Sequence, residues 1–284
     1  MPSFGWMPEA KSVKDYLFAA RNPDLLEARL PPSIHLRDGF PYQPGDKGSL
    51  GSCVACGVDA NVTFIQKKLG LPVNDPSELY EYYNGRRLMG TTWYDSGLYI
   101  RTGMDAAAND GTAREALWPY NVSRYREQPS PEAYDDGAKN QVLKRSLLGV
   151  NLLEIKAALA ANLIVTFGMP VYRGYLNPGP TGIIVSPAFN ESAVGQHCND
   201  LCGYDDATGM FDSRNSWGTF WGDDGYCKIP YQYILNLASD LWTIETVEGV
   251  APIPPPPPPP VPGPTYAEGY AAAKAKAVTA VQGI

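Results

Sequence analysis

A cysteine lies where a flexible loop is predicted to enter a helix. The segment G-S-L-G-S-C-V-A-C spans residues 48–56 and places Cys53 directly after glycines and serines. A cysteine attacks carbonyl carbons as the thiolate, so its ordinary pKa of about 8.5 has to fall. The positive end of a helix and a neighbouring imidazolium both lower that pKa. Cys53 is therefore a candidate nucleophile.

The imidazolium has to come from one of only two histidines. His35 lies in the extended apolar segment P-P-S-I-H-L-R without polar companions, which is typical of a structural residue. His197 begins a predicted strand and is followed downstream by R-N-S-W-G. Within that motif, Asn215 can orient the imidazole through one ring nitrogen, and Trp217 can shield the hydrogen bond. These residues predict a Cys53–His197–Asn215 catalytic triad.

Hydrophobic periodicity predicts the elements that position these side chains. Apolar residues recur at helical spacing between Cys53 and Leu69, and Gly70 then supplies a C-terminal stop. Further along, the pattern predicts one helix and three strands, at residues 152–163, 163–171, 197–204 and 210–214. Because helices dominate early and strands late, we expect an α+β fold with two unlike halves.

With these motifs the chain resembles the papain family of cysteine peptidases. The order Cys, His, Asn, the N-S-W-G motif and a later W-G-x-x-G-Y carry the resemblance, which runs from residue 5 to residue 247 or so. In that family the His and Asn lie roughly 130–150 residues after the Cys. Other shared segments, including G-W-x-P at residues 5–8, D-S-G at 95–97 and L-W-P-Y at 117–120, resemble its bacterial and phage branch.

The resemblance implies a two-lobed fold and a role for each site residue. A helical lobe would carry Cys53, a β-barrel-like lobe would carry His197 and Asn215, and a peptide or protein substrate would bind between them. Cys53 would attack the scissile carbonyl while His197 acts as general base and then as general acid. The backbone N–H of Cys53 and the side chain at position 47 would form the oxyanion hole, and Trp217 would shield the triad.

Position 47 departs from the family, which has Gln where this chain has Lys47. An amide donates a short, fixed hydrogen bond, whereas we expect Lys47 to be a long, mobile cation. Loss of one oxyanion donor typically lowers kcat by about 10²–10³. The substitution therefore predicts impaired catalysis.

Polar residues occupy positions where the family has apolar core residues. They are Asp59, Asn199, Asp200, Asp212 and Ser213. Because an unpaired buried polar group is costly, either these residues pair with one another or this interior differs from the family's. A metal site built from the carboxylates is one alternative. A zinc site from the C-x-x-C at residues 53–56 with His197, Cys198 and Cys202 is another, which the N-S-W-G context disfavours.

Two functions stay open at this point. The triad favours an active cysteine peptidase, whereas Lys47 and the polar strand favour a catalytically impaired papain-fold protein with a structural role, for instance in a phage virion. Only 52 residues precede Cys53, so we expect no long inhibitory prosegment. An active enzyme would then have to be restrained by narrow specificity.

Composition argues against several other classes of function. The 284 residues include 23 Lys and Arg against 30 Asp and Glu, for a net charge of −7. An acidic chain without a run of basic residues does not have the positively charged segment that typically binds nucleic acid or an anionic membrane. Five cysteines, an odd number in a long chain, suit a reducing compartment better than a disulfide framework. The N-terminus has no signal-peptide pattern. We expect a cytoplasmic or virion-associated protein without a cofactor.

The composition changes abruptly after residue 250, which predicts three parts. Residues 1–250 would form the peptidase domain. Residues 251–264 contain ten prolines and predict a stiff polyproline II linker. Residues 265–284 predict a docking helix for a protein partner, with a frayed tail as the alternative. Its T-x-x-E capping box is Thr265 and Glu268, and one face carries Tyr266, Tyr270, Ala273, Ala277 and Val281.

Overall fold

The computed structural model describes residues 4–73 and 75–248. These residues belong to the first of two units into which the chain divides, Met1–Val250. The predicted polyproline linker and docking helix fall in the second unit, Ala251–Ile284, and lie outside the described residues. In the described part of the chain, no helix is long and apolar enough to cross a membrane.

The structure contains the two helices and three strands that the sequence predicts, together with further elements that it does not. The helices are α1 (Phe18–Arg21), α2 (Pro23–Glu27), α3 (Cys53–Lys68), α4 (Glu78–Met89), α5 (Ile100–Asn109), α6 (Pro131–Gly137), α7 (Leu152–Ala160), α8 (Arg173–Leu176) and α9 (Tyr231–Leu237), with short 3₁₀ turns at Arg37–Gly39 and Val122–Arg124. The strands are β1 (Ser33–His35), β2 (Val142–Leu148), β3 (Val165–Val171), β4 (Gly195–Asp205), β5 (Met210–Arg214), β6 (Tyr226–Pro230) and β7 (Ser239–Val247). The predicted α+β class is confirmed.

The strands form one sheet with the order β2-β7-β3-β4-β5-β6, and β1 pairs with the far end of β4. Its neighbouring strands pair in antiparallel fashion. The sheet is open, with β2 and β6 at its two edges, so the expected β-barrel-like closure is wrong. Strand β4 therefore lies in the middle of the sheet, where the paired strands β3 and β5 hold it in place on both sides. This central position matters for the site.

Helix α3 is the central helix of the core. Its residues from Cys53 to Gln66 are all buried, and it packs against α4, α5, β4 and β7. A helix buried on every side belongs to the interior rather than the surface. Lys67 and Lys68 lie in its last turn, where cations complement the helix dipole, and Gly70 follows with a φ of 69°. The predicted start and stop are thus confirmed.

Candidate active site

Cys53 is the first residue of α3, at the positive end of the helix dipole. Ser52, which precedes it, makes no capping hydrogen bond with its side chain. Its hydroxyl is instead 2.7 Å from the Tyr120 hydroxyl. The first N–H groups of a helix lack partners inside the helix. This end of α3 therefore presents N–H groups beside the Cys53 thiol.

His197 and Asn215 come together because β4 and β5 are paired. His197 lies on β4, and Asn215 directly follows β5. His197 Nε2 is 2.8 Å from Asn215 Oδ1, and the Ser216 N–H donates to the same oxygen at 2.7 Å. Because Oδ1 accepts, Nε2 has to carry the proton. Nδ1 has no hydrogen-bond partner among the described residues, so it is the nitrogen that can accept a proton.

Trp217 lies flat against the imidazole. The Trp217 and His197 ring centroids are 4.7 Å apart, with an angle of 26° between the ring planes. A stacked indole excludes water from the His197–Asn215 hydrogen bond. The geometry is that expected of a shielding residue.

Lys47 is held in place rather than mobile. The side chain is fully buried, and Nζ donates to the Leu50 carbonyl oxygen at 2.9 Å. Its backbone is fixed as well, because the Lys47 N–H donates to Ser216 O at 3.1 Å and Lys47 O accepts from the Tyr120 hydroxyl at 2.8 Å. The expectation of a mobile cation is wrong. A fixed positive charge stands beside the candidate triad.

The Cys53 thiol is protonated in this arrangement. Complete burial raises its pKa, since a buried thiolate loses its hydration. The positive charge of Lys47 and the backbone N–H groups of Cys198, Gly5 and Val54 all lower the pKa, but by less. The charge and the N–H groups that were expected to lower the pKa of Cys53 are therefore present, but the exclusion of water raises the pKa by more than they lower it.

His197 is neutral for the same reason. Burial and, to a smaller extent, the Lys47 charge lower its pKa, the Asn215 hydrogen bond raises it, and together they bring the pKa to about 3. Both Cys53 and His197 are therefore uncharged while the site excludes water. The charged form needs water or substrate in the cleft.

What excludes water from Cys53 is the N-terminal segment of the chain itself. The Phe4 ring packs edge-on against the rings of His197 and Trp217, with centroid separations of 6.5 Å and 6.3 Å. The Gly5 N–H acts on the Cys53 thiol. Residues 4–7, called the N-terminal cover below, therefore occupy the space above the candidate nucleophile.

The N-terminal cover is anchored on both sides. Leu98 N–H donates to Gly5 O at 2.8 Å, and Met7 N–H donates to Leu98 O at 3.0 Å. The Trp6 side chain is only 4% exposed and lies against Gly168 on β3, where a Cβ would overlap the indole ring. The sheet thus provides a recess for Trp6. The expectation that only narrow specificity would restrain the enzyme missed this cover, although G-W-M-P at residues 5–8 was its signal.

His35 and Asp212 differ from their predicted settings. His35 Nδ1 is 2.6 Å from Asp212 Oδ2, and Lys228 Nζ is 2.6 Å from Asp212 Oδ1. His35 is exposed, so the prediction that it lacks polar companions is wrong. Asp212 was expected in the core, but its side chain is 19% exposed. Gly203 of β4 pairs with His35 on one side and with Asp212 on the other, so the two side chains meet across this glycine.

The other polar residues expected in the core are indeed buried, but they do not all pair with one another. Asp200 accepts a hydrogen bond from Thr166 Oγ1 at 2.6 Å, and Asn199 donates one to the Tyr175 hydroxyl. The Asp59 carboxylate oxygens and Ser213 Oγ have no partners among the described residues. Within residues 4–73 and 75–248, no three His, Cys, Asp or Glu side chains are arranged to hold a metal ion.

Comparisons with known proteins show the family of this chain. The profile of the papain family of cysteine proteases matches residues 95–240, the region that contains His197 and Asn215. A peptidase C1-like protein of Acanthamoeba polyphaga mimivirus is 33% identical over 215 residues, 71% of this chain and 69% of that protein. Chymopapain of Carica papaya is 26% identical over 195 residues, 66% of this chain and 51% of that protein.

Solved structures show the same fold. Xylellain, a cysteine protease from Xylella fastidiosa, superposes with a TM-score of 0.80 at 32% identity, over 87% of this chain and 97% of that one. A cysteine protease from Carica candamarcensis in complex with E-64 has a TM-score of 0.61 at 21% identity, over 76% and 99% of the two chains. On its fold and its relatives, this chain belongs to the papain family and is a cysteine peptidase, a hydrolase that acts on peptides or proteins.

Proposed function

We propose that this chain hydrolyses peptide bonds with Cys53 as nucleophile, His197 as general base and acid, and Asn215 as the residue that orients the imidazole. One observation carries the proposal. His197 Nε2 is committed to Asn215 Oδ1 at 2.8 Å, which leaves Nδ1 as the proton acceptor within the site that Cys53 and Lys47 share.

In each half of the proposed reaction, His197 accepts one proton and then donates it. Cys53 Sγ attacks the carbonyl carbon of the substrate while its proton passes to His197 Nδ1. The C–N bond then breaks, and the amine leaves with that proton. A water molecule, deprotonated by the same nitrogen, attacks the thioester and releases the carboxylic acid together with the free thiol. Asn215 keeps the ring in the orientation that both transfers need.

The oxyanion is proposed to be stabilised by the α3 N-terminus and Lys47. The Cys53 N–H lies at the positive end of α3, where backbone N–H groups stabilise developing negative charge. Lys47 adds a full positive charge that already acts on Cys53. The fixed ammonium group of Lys47 differs from the amide of a Gln in carrying a full positive charge. That charge stabilises both the thiolate and the oxyanion, because each is negative.

The N-terminal cover is proposed to hold the enzyme inactive until it is displaced. It keeps Cys53 fully buried, so substrate and cover compete for the same space. Displacement admits water, and the thiolate–imidazolium pair can then form.

Hydrolysis of an unfolded protein substrate by the full chain tests this proposal. We expect slow cleavage by the wild type, because the substrate has to displace the cover, none by Cys53→Ser, and a kcat reduced roughly 10²-fold in Asn215→Ala because the imidazole loses its orientation. Cys227→Ser is the matched control, since Cys227 is also buried but contacts Tyr175 and Ser213 instead of the triad. Cleavage that survives in Cys53→Ser would contradict the assignment.

A further inference from the structure

A cavity of about 240 Å³ lies beneath the candidate triad. Its mouth is formed by the exposed residues Tyr42, Gln43 and Asp75, and its inner end reaches Cys53 and Cys198. The groove that contains Trp217 is a separate pocket with a different lining. The catalytic scheme above uses none of the acidic groups in this cavity.

The lining of the cavity is strongly acidic. Four carboxyl groups, those of Asp59, Asp75, Glu78 and Asp200, face a single cationic side chain, Arg214. Glu78 and Asp200 come from different elements, α4 and β4, whereas Asp59 comes from α3. Carboxyl groups from three separate elements thus line one cavity.

Arg214 does not neutralise these carboxyl groups by direct pairing. Its N–H groups donate to Tyr42 O, Gln43 O and the Tyr226 hydroxyl, each at 2.9 Å. No carboxylate of the described residues forms an ion pair with it. The cavity therefore keeps an excess of acid.

Two buried side chains of the lining have hydrogen-bond acceptors without partners. Asp59 is 1% exposed, and neither of its carboxylate oxygens has a partner among the described residues. Asn199 is 2% exposed, and its Oδ1 is likewise without one. A buried acceptor left without a donor is unfavourable, because it has lost its hydration without gaining a hydrogen bond. Asp59, on α3, therefore calls for a ligand that donates hydrogen bonds, whereas the Asn199 amide, which donates to Tyr175, lies on the opposite face of β4 from Asp200.

The electrostatics point to a cationic donor. Burial raises the pKa of both Glu78 and Asp200 to about 7, with the Arg214 charge lowering each. Burial and the negative charges of Glu78, Glu115 and Asp75 raise the pKa of Asp59 well above its ordinary value. Each of these carboxyl groups would ionise more readily beside an added positive charge.

From these contacts we infer that the cavity binds a compact organic cation with several N–H donors, of the primary ammonium or guanidinium type. Asp59 would accept its hydrogen bonds, and Glu78 and Asp200 would balance its charge. A metal ion fits less well, because no three His, Cys, Asp or Glu side chains of the described residues are arranged to coordinate one. The inference does not rest on peptidase activity.

Calorimetric titration of the full chain with four chloride salts tests this inference. Methylammonium and methylguanidinium carry N–H donors and distinguish the two head groups, whereas tetramethylammonium has the charge without donors and sodium is the salt control. We expect saturable, millimolar or tighter binding of at least one N–H cation and none of tetramethylammonium. Equal binding of tetramethylammonium would show that N–H donors are not recognised, and no binding of either N–H cation would show that the cavity holds no cation; either result would overturn the inference.

Variants locate the site. Asp59→Asn keeps the shape but removes the carboxyl group that can ionise beside a cation, and we expect it to weaken binding at least tenfold. Asp24→Asn is the matched control, because Asp24 is an exposed carboxylate on α2 outside the lining, and its affinity should equal that of the wild type. If Asp59→Asn fails to fold, Asp200→Asn replaces it. Unchanged affinity in these cavity variants would overturn the inference.

Discussion

Replacing Trp6 with Ala should uncover Cys53. A tryptophan buries roughly 150–250 Å², which at about 25 cal/mol per Å² corresponds to about 4–6 kcal/mol of apolar burial. Truncation of a buried aromatic to Ala typically costs about 3–5 kcal/mol. At the low end of that range, the equilibrium between covered and open forms shifts by about 10²-fold, since each 1.4 kcal/mol is a factor of ten. The Trp6 side chain, 4% exposed against Gly168, supplies most of the anchoring.

The assay is the second-order rate of Cys53 alkylation by E-64, which requires an accessible thiol. If the covered form dominates in the wild type, Trp6→Ala should accelerate labelling by up to about 10²-fold. Gly168→Ala attacks the same contact from the opposite side, because its Cβ would overlap the Trp6 ring, and it should accelerate labelling as well. Trp93→Ala, whose side chain is 69% exposed, is the control and should change nothing. Equal rates in the wild type and in both Trp6→Ala and Gly168→Ala would refute the reasoning.

Three further predictions concern charge and the tail. Lys47→Gln removes a positive charge that lowers the pKa of Cys53, so the pH profile of alkylation should move to higher pH; a profile that stays in place would show that Lys47 does not act on the thiol. His197 has a pKa of about 3 in the folded chain against about 6.5 when unfolded, so the unfolded chain binds more protons between these values and stability falls as pH drops from 6.5 toward 3. Thermal unfolding should show that fall, and His197→Gln should reduce it. Deletion of residues 251–284 should abolish binding to a protein partner and leave the melting temperature unchanged; early unfolding would place the domain boundary elsewhere.

Several parts of this molecule were predictable from the sequence. Local signals sufficed for α3, because a glycine- and serine-rich loop, helical periodicity and Gly70 lie next to one another in the chain. The pairing of β4 with β5 was predictable for the same reason, since D-D-A-T-G marks the turn between them. That pairing brings His197 and Asn215 together, so the motif and the turn predict the contact jointly.

The parts that could not be predicted depend on contacts between distant segments. The N-terminal cover requires Trp6 to meet Gly168 and Gly5 to meet Leu98. The G-W-M-P motif marks the segment, but no local pattern encodes the residues that it contacts. Whether the sheet closes depends on its two edge strands, which lie far apart in the sequence. Burial of Lys47 follows from the position of the Leu50 carbonyl. A lysine alone predicts only a solvated cation.

Peptide mass spectrometry of the E-64 adduct tests the central claim most directly, because the chain has five cysteines and only Cys53 is assigned as nucleophile. The Trp6→Ala chain would be treated with E-64, digested and mapped at every cysteine. We predict one adduct, on Cys53, and its loss in His197→Gln, since the thiolate needs the imidazole. An unmodified Cys53, or an adduct on another cysteine, would contradict the account.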